Sequence, residues 1–146
     1  MVAVFFGTHR PRLDDKGRLT LPAKFREPLG KGLVMTKGQD RCIYVFPRAG
    51  FDVTTEQLAR TSVTDKRTRD FMRVLYSAVA EDVPDKQGRV TIPPALRDYA
   101  SLDRDCAVIG ANARIEIWDH TAWDRFMAEH EQAFSEMEEE VVPGVI

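Results

Sequence analysis

The stretch Asp14-Asp-Lys-Gly-Arg-Leu-Thr-Leu-Pro-Ala-Lys-Phe-Arg26 recurs in the same chain as Asp85-Lys-Gln-Gly-Arg-Val-Thr-Ile-Pro-Pro-Ala-Leu-Arg97. From position 14 to position 85 the offset is 71 residues, and six of the thirteen aligned positions are identical. Three further positions keep an apolar side chain in both copies. A match of this length in one register indicates an internal duplication. The chain of 146 residues is therefore predicted to contain two copies of one small module.

Each copy has the pattern of a tight turn followed by a half-buried strand. Gly17 and Gly88 mark the turns, because a residue without Cβ adopts positive φ at little cost. After Gly17, the apolar residues Leu19 and Leu21 alternate with polar ones, which is typical of a strand with one buried face. A proline then ends each strand at the first turn of a short helix, Pro22 before residues 23–26 and Pro93 before residues 95–97.

Two apolar blocks further along the chain also recur, residues 33–36 as 107–110 and residues 43–47 as 115–119. The segments between the blocks contain the Gly, Asn and Asp that turns require, so each pair of blocks predicts a hairpin. Residues 64–76 combine a charged face with an apolar one, which predicts one connecting helix with Thr64 as its N-cap. These patterns together predict an α+β fold.

The repeat divides the chain into four segments. We expect a first half-domain at residues 5–50, a helical connector at 51–76, a second half-domain at 77–122, and a C-terminal helix with an acidic tail at 123–146. The apolar start at residues 1–6 is too short for a signal peptide, and no later stretch is long enough to cross a bilayer, so the cytosol is the expected compartment. Cys42 and Cys106 are isolated, which favours buried reduced thiols over a disulfide or a zinc site.

Charge is distributed unevenly along the chain. The net charge of −2 argues against a uniformly basic protein. However, residues 8–26 hold six basic residues and two acidic ones, whereas residues 116–140 hold nine acidic residues and only Arg125 as a base. This asymmetry indicates either an anion-binding face with an acidic segment elsewhere, or two ordinary solvated surfaces.

The repeated turns share the pattern Asp-x-x-x-Arg, at 14–18 (turn 1) and at 85–89 (turn 2). In a structural interpretation, each aspartate pairs with its arginine and only braces the turn, because exposed ion pairs stabilise little. In a functional interpretation, the aspartate orients the guanidinium group toward phosphates or guanine edges. Turn 1 has Arg12 and Lys16 beside its arginine, while turn 2 has Lys86, so we expect unequal contributions with Arg18 the stronger.

The residues just described carry a family resemblance. The pattern of Phe5-Phe-Gly-Thr8, residues 13–26, Gly88-Arg-Val-Thr-Ile-Pro93 and Ile115-Glu-Ile-Trp-Asp119 resembles the MraZ family over nearly the whole chain. Each half is similar to the swapped-hairpin module of SpoVT/AbrB proteins. The resemblance implies that two such modules, both supplied by this chain, interleave their hairpins into one small double-split β-barrel with peripheral helices.

The same resemblance implies a transcription regulator associated with the nucleoid. Such a protein forms ring-shaped homo-oligomers and binds short direct repeats in double-stranded DNA, upstream of the division and cell-wall gene cluster that includes its own gene. Carried onto this chain, it implies a set of DNA-contacting residues, with Asp14 and Asp85 as the residues that orient the turns; the contacting residues are Arg12, Lys16, Gly17, Arg18, Lys86 and Arg89. No cofactor, metal, membrane or small-molecule substrate is implied.

Two other classes of protein fit the sequence less well. An enzyme is disfavoured because His9, His120 and His130 are scattered, with no nucleophile, paired-carboxylate or phosphate-loop spacing around them. An antitoxin of the AbrB-like class would bind a protein partner through its C-terminal segment, but such antitoxins typically hold one module. Apolar residues in the helical tails, Phe51, Trp123 and Phe126, are either subunit contacts or, as the more common role, core.

Overall fold

The computed structural model describes residues 4–61 and 63–146. The strands are β1 Thr8–His9, β2 Arg18–Thr20, β3 Leu33–Lys37, β4 Ile43–Pro47, β5 Ala80–Asp82, β6 Arg89–Thr91, β7 Cys106–Ala111 and β8 Arg114–Asp119. The helices are α1 Ala23–Leu29, α2 Arg48–Leu58, α3 Lys66–Ser77, α4 Pro94–Tyr99 and α5 His120–Glu136. The fold is therefore α+β, as the sequence predicts.

The two halves of the chain exchange strands. The larger sheet has six antiparallel strands in the order β1-β7-β8-β4-β3-β5. Its first edge strand, β1, comes from the first half and pairs with β7 of the second half. At the other edge, β5 of the second half pairs with β3 of the first. Within the described residues β1 and β5 remain edges, so hydrogen bonding does not close these strands into a barrel.

The second sheet is a two-stranded ribbon formed by β2 and β6, one strand from each half. In this ribbon Leu19 lies opposite Val90, and in the larger sheet Tyr44 lies opposite Glu116. Positions 19 and 90 are equivalent in the repeat, with the offset of 71, and positions 44 and 116 follow with an offset of 72. Because each pair joins equivalent residues, an approximate twofold axis relates the two halves and passes through both pairs.

The main core fixes which face of the ribbon points outward. Leu19 and Val90 from the ribbon join Phe25 of α1, Leu96 of α4 and one face of the larger sheet in a single buried cluster. Burying an apolar side chain of this size stabilises the fold by about 1.5–3 kcal/mol. Since side chains alternate along a strand, the residues on either side of Leu19 lie on the opposite, outer face of the ribbon.

The other face of the larger sheet is covered by helices. Phe51 of α2 packs on Val34 and Phe46 in one buried cluster. Trp118 of β8 forms a second cluster, against which Trp123 and Phe126 of α5 pack, with ring centroids 5.2 and 5.3 Å from that of Trp118. These aromatic residues of the helical tails therefore contribute to the packing of this chain.

The helices between the halves differ in detail from the sequence prediction. The predicted connecting helix is α3, but Asp65 is its N-cap instead of Thr64, because the Asp65 carboxylate accepts a hydrogen bond of 2.9 Å from the Arg67 backbone N–H. A second helix, α2, precedes it. Its sequence contains Gly50 and three β-branched residues at 53–55, whose low helix propensity conceals it from the pattern.

Cys42 and Cys106 are buried free thiols, and burial raises the pKa of both. Among the described residues, no helix is both long enough and apolar enough to span a membrane. The apolar start predicted at residues 1–6 lies partly outside the described residues, which include only positions 4–6 of it.

Candidate nucleic-acid interface

Turn 1 is organised around a single carboxylate. Oδ1 of Asp14 accepts hydrogen bonds from the backbone N–H groups of Lys16 at 2.9 Å and Arg18 at 2.8 Å. Oδ2 of Asp14 accepts the Nε–H of Arg18 at 2.7 Å. The turn is closed by the backbone N–H of Gly17, which donates to the Asp14 carbonyl at 3.0 Å, with Gly17 at a φ of 74°. Asp14 therefore both shapes the turn and orients its arginine.

Turn 2 repeats this network atom for atom. Asp85 accepts from the backbone of Gln87 at 2.9 Å, from the backbone of Arg89 at 2.8 Å and from Nε of Arg89 at 2.7 Å. Gly88, at a φ of 76°, donates to the Asp85 carbonyl at 2.9 Å. Both positive φ values bear out the prediction that glycine marks these turns. The duplication has thus kept the geometry of the whole turn as well as its residue types.

The electrostatics of the two turns are also matched. The pKa of Asp14 is lowered, chiefly by the backbone N–H of Arg18, and the pKa of Asp85 is lowered in the same way by Arg89. The side chains of Arg18 and Arg89 are 28% and 31% exposed. Within the described residues, the Nη groups of these two arginines have no hydrogen-bond partner. Each guanidinium is therefore held by one edge and can donate through the other.

The ribbon brings the two arginines onto one surface. Arg18 lies opposite Thr91, and Thr20 lies opposite Arg89, while the intervening pair is buried. Arg18 and Arg89 are therefore diagonal neighbours on the outer face, a relation that separates positions by roughly 7–8 Å. The two turns lie at opposite ends of this ribbon. The outer face of the ribbon with both turns is called the ribbon face below.

The cations that flank the turns differ in how they are engaged. Lys16 and Lys86 are exposed at their turns. Arg12, in contrast, forms an ion pair with Asp105, with 3.0 Å between Nε and Oδ1. Asp15 of turn 1 lies 3.6 Å from the guanidinium of Arg104. The other sequence-predicted residues thus lie in the two turns of the ribbon face, whereas Arg12 is engaged in an ion pair with Asp105.

Two residues that contact the turns are not predicted from the sequence. Arg26 of α1 packs against Gly88 of turn 2, and Arg97 of α4 packs against Gly17 of turn 1. Each arginine therefore touches the turn of the opposite half. The available signal was their identity: they are the last identical pair in the repeated stretch, where a helix surface would otherwise tolerate change.

The residues weighed for other chemistry stay apart. His9 packs on the ring of Phe25, with 5.2 Å between ring centroids, and burial lowers its pKa. His120 is hydrogen-bonded to Arg10 at 2.8 Å on the surface. In the part of the chain that the structure describes, no group of three or more His, Cys, Asp or Glu residues is arranged to hold a metal ion.

Fold and site together define a class: internally duplicated α+β proteins whose halves exchange strands and present two matched Asp–Arg turns on one ribbon. The model of a protein family described as "MraZ protein, putative antitoxin-like" matches the chain twice, at residues 4–74 and 77–143. The two matches together span nearly the whole sequence. The chain belongs to the MraZ family.

Individual relatives agree with this assignment. A protein named transcriptional regulator MraZ from Parafrankia sp. (strain EAN1pec) is 61% identical over 143 residues, covering 98% of this chain and 100% of that protein. Proteins of the same name from Frankia casuarinae and Thermobifida fusca are 59% and 56% identical over 143 residues, with the same coverage of both chains. The resemblance stated from the sequence is therefore confirmed.

Proposed function

We propose that the protein is a DNA-binding transcription regulator that contacts double-stranded DNA through the ribbon face. The observation that carries this proposal is the pair of matched turns, in which an aspartate holds each arginine by Nε and leaves its Nη groups without a protein partner among the described residues. The three relatives described above are each named a transcriptional regulator, which supports the same conclusion.

The shape of the ribbon face suits duplex DNA. The major groove admits a two-stranded β-ribbon, and a guanidinium donates two parallel hydrogen bonds to O6 and N7 of guanine. Arg18 and Arg89 have the required free edges, while the exposed Lys16 and Lys86 suit contacts to phosphates. Because a paired carboxylate offsets the charge of each arginine, its role is to recognise bases through directed hydrogen bonds more than to attract DNA by charge. In this proposal Gly17 supplies the turn conformation and Arg12 supports the edge of turn 1.

We extend the proposal to the half-domains, the barrel and the ring that the family resemblance implies. We assign the half-domains to residues 5–50 and 77–122 and their arrangement to the double-split barrel, for which the strand exchange between halves is the support. One chain has few basic residues at the ribbon face, and binding through few phosphate contacts is weak at physiological salt. A ring of subunits on direct repeats, upstream of the division and cell-wall genes, would supply avidity.

The test is an affinity titration on the DNA upstream of the protein's own gene. We expect Arg18→Ala and Arg89→Ala each to weaken specific binding by about tenfold or more, because a bidentate contact to a base contributes about 1–3 kcal/mol. Arg125→Ala is the matched control, since it removes the same charge from the acidic helix α5 and should change affinity less than about twofold. A scrambled fragment at the same salt concentration separates specific from nonspecific binding.

Two results would contradict the proposal. Unchanged affinity of both Arg18→Ala and Arg89→Ala would remove the ribbon face as the DNA contact. For the ring on direct repeats, shortening the DNA from several repeats to one should lower affinity sharply, and a flat dependence on repeat number would exclude that part. Each variant is first checked for an unchanged thermal unfolding midpoint and an unchanged assembly size.

A further inference from the structure

Arg26 and Arg97 occupy equivalent positions in α1 and α4, yet each packs on the other half of the molecule. A β-carbon at position 17 would lie 2.8 Å from Cζ and 2.9 Å from Nη1 of Arg97. A β-carbon at position 88 would lie 2.7 Å from Cδ and 2.9 Å from Cζ of Arg26. Both guanidinium groups therefore lie directly against a glycine that has no side chain to keep them away.

The backbone joins the same partners across the halves. The N–H of Leu21 donates to the Gly88 carbonyl at 2.8 Å, and the N–H of Ile92 donates to the Gly17 carbonyl at 2.9 Å. Nε of Arg26 donates to the carbonyl of Leu21 at 3.0 Å, so the backbone of Leu21, through its N–H and its C=O, links turn 2 to Arg26. Each turn is thus held from outside by the strand and helix of the opposite half.

The two contacts differ in their anchoring. Nε of Arg26 has its carbonyl partner, whereas Nε of Arg97 is buried and without a hydrogen-bond partner among the described residues. Arg97 is also the more enclosed side chain, since Arg26 is exposed and Arg97 is half-buried. A buried guanidinium N–H without a partner is costly, so the position of Arg97 is set by packing against turn 1 and not by a hydrogen bond from Nε.

We propose that Arg26 and Arg97 are positioning residues that hold the recognition turn of the opposite half, so that the packing between the halves steadies the turn in which an aspartate orients each DNA-contacting arginine. This inference rests on the proposed function for its consequence but not for its geometry. Arg97 acts on turn 1 and through it on Arg18, while Arg26 acts on turn 2 and through it on Arg89. Neither needs to touch DNA itself.

The first test is hydrogen–deuterium exchange on the DNA-free protein. Arg97→Ala should speed exchange several-fold in peptides that cover 14–18 and leave those covering 85–89 unchanged, because the lost contact belongs to turn 1. Arg26→Ala should give the reverse pattern. Arg97→Lys keeps the long stem and the charge but lacks the planar group, so we expect it to loosen turn 1 as Arg97→Ala does. Arg125→Ala serves as the control.

The second test is a double-mutant cycle on DNA binding, which a merely structural role would not satisfy. Arg97→Ala combined with Arg18→Ala should bind within about twofold of Arg18→Ala alone, because both changes remove the same contact. Combined with Arg89→Ala, the effect of Arg97→Ala should instead multiply, since the two act on different turns.

The outcomes are distinguishable from those of the proposed function. Exchange that changes in the turn of the same half, or in neither turn, overturns the positioning role, as does wild-type exchange in Arg97→Lys. Effects that multiply in both pairings also overturn it. If Arg18→Ala and Arg89→Ala both leave DNA binding unchanged, the proposed function fails, and the exchange measurement still decides whether Arg26 and Arg97 hold the turns of the opposite half.

Discussion

Turn 1 and turn 2 have the same internal hydrogen bonds, but the residues that contact them from the rest of the molecule differ. Their carboxylates accept the same three hydrogen bonds, at identical distances of 2.9, 2.8 and 2.7 Å. The residues around the turns have diverged. Turn 1 is contacted by Arg97, whose Nε has no hydrogen-bond partner in the part of the chain that the structure describes, and turn 2 by Arg26, which is hydrogen-bonded to Leu21. The duplication has preserved the orientation of the arginines and left their surroundings free to change.

This comparison changes the expectation for the two arginines. Arg12 favoured turn 1 in the sequence, but its ion pair with Asp105 offsets its charge. Each turn then retains one exposed lysine and one oriented arginine. We therefore expect Arg18→Ala and Arg89→Ala to weaken DNA binding by amounts within about threefold of each other, instead of the unequal losses that the sequence predicts. If Arg89→Ala left the affinity for DNA unchanged, the unequal contributions that the sequence predicts would be supported instead.

Among the changes that compare the two turns, Asp14→Asn and Asp85→Asn should weaken DNA binding most. An asparagine can still accept the backbone N–H groups, but its amide would face the arginine Nε, donor to donor, and release the guanidinium. We expect either change to weaken specific binding by about tenfold, although it makes the protein more positive. Titration on the same DNA measures the loss.

Asp15→Asn is the control for charge in that experiment. The side chain of Asp15 is 94% exposed and makes no hydrogen bond to Arg18. Its replacement by asparagine therefore changes the net charge by the same amount as Asp14→Asn without releasing Arg18. We expect binding unchanged or slightly tighter. If Asp14→Asn also tightened binding, simple attraction would explain the turn and the orienting role of Asp14 would be wrong.

A smaller effect concerns pH. Since the pKa values of Asp14 and Asp85 are lowered from 3.8, their hydrogen bonds contribute fully above that value and are lost only as pH falls through the lower pKa of the folded protein. We expect carboxyl titrations followed by NMR to give midpoints below 3.8 for both residues, and the turns to be insensitive to pH between 6 and 8. A midpoint at or above 3.8 for one aspartate would break the equivalence of the turns.

The sequence predicted the parts of the fold that depend on local pattern. The glycines of the turns, the alternation around Leu19 and the two hairpins follow from backbone freedom and from period-2 burial, which single segments encode. The exchange of β1 and β5 between halves does not follow in this way, because pairing partners far apart in sequence are chosen by the whole core. The interleaving of the two halves was implied by the family resemblance and not by any local pattern in the sequence.

The candidate site was predicted in its residues more than in its contacts. The Asp-x-x-x-Arg spacing was sufficient to pair Asp14 with Arg18, because four residues span a tight turn. It did not indicate that Arg12 would pair with Asp105, or that Arg97 would contact turn 1, since these contacts join residues 93 and 80 positions apart in the sequence. Identity at positions 26 and 97 was visible, but its reason is visible only in three dimensions.

The most direct test of the central claim is hydrogen–deuterium exchange of the intact protein with and without its upstream DNA. If DNA binds at the ribbon face, exchange should become slower in peptides that cover residues 14–20 and 85–91 and stay unchanged in α5, residues 120–136. Equal protection of both turns would also support equal contributions of Arg18 and Arg89 to DNA binding. Protection confined to α5, or absent from both turns, would contradict the account.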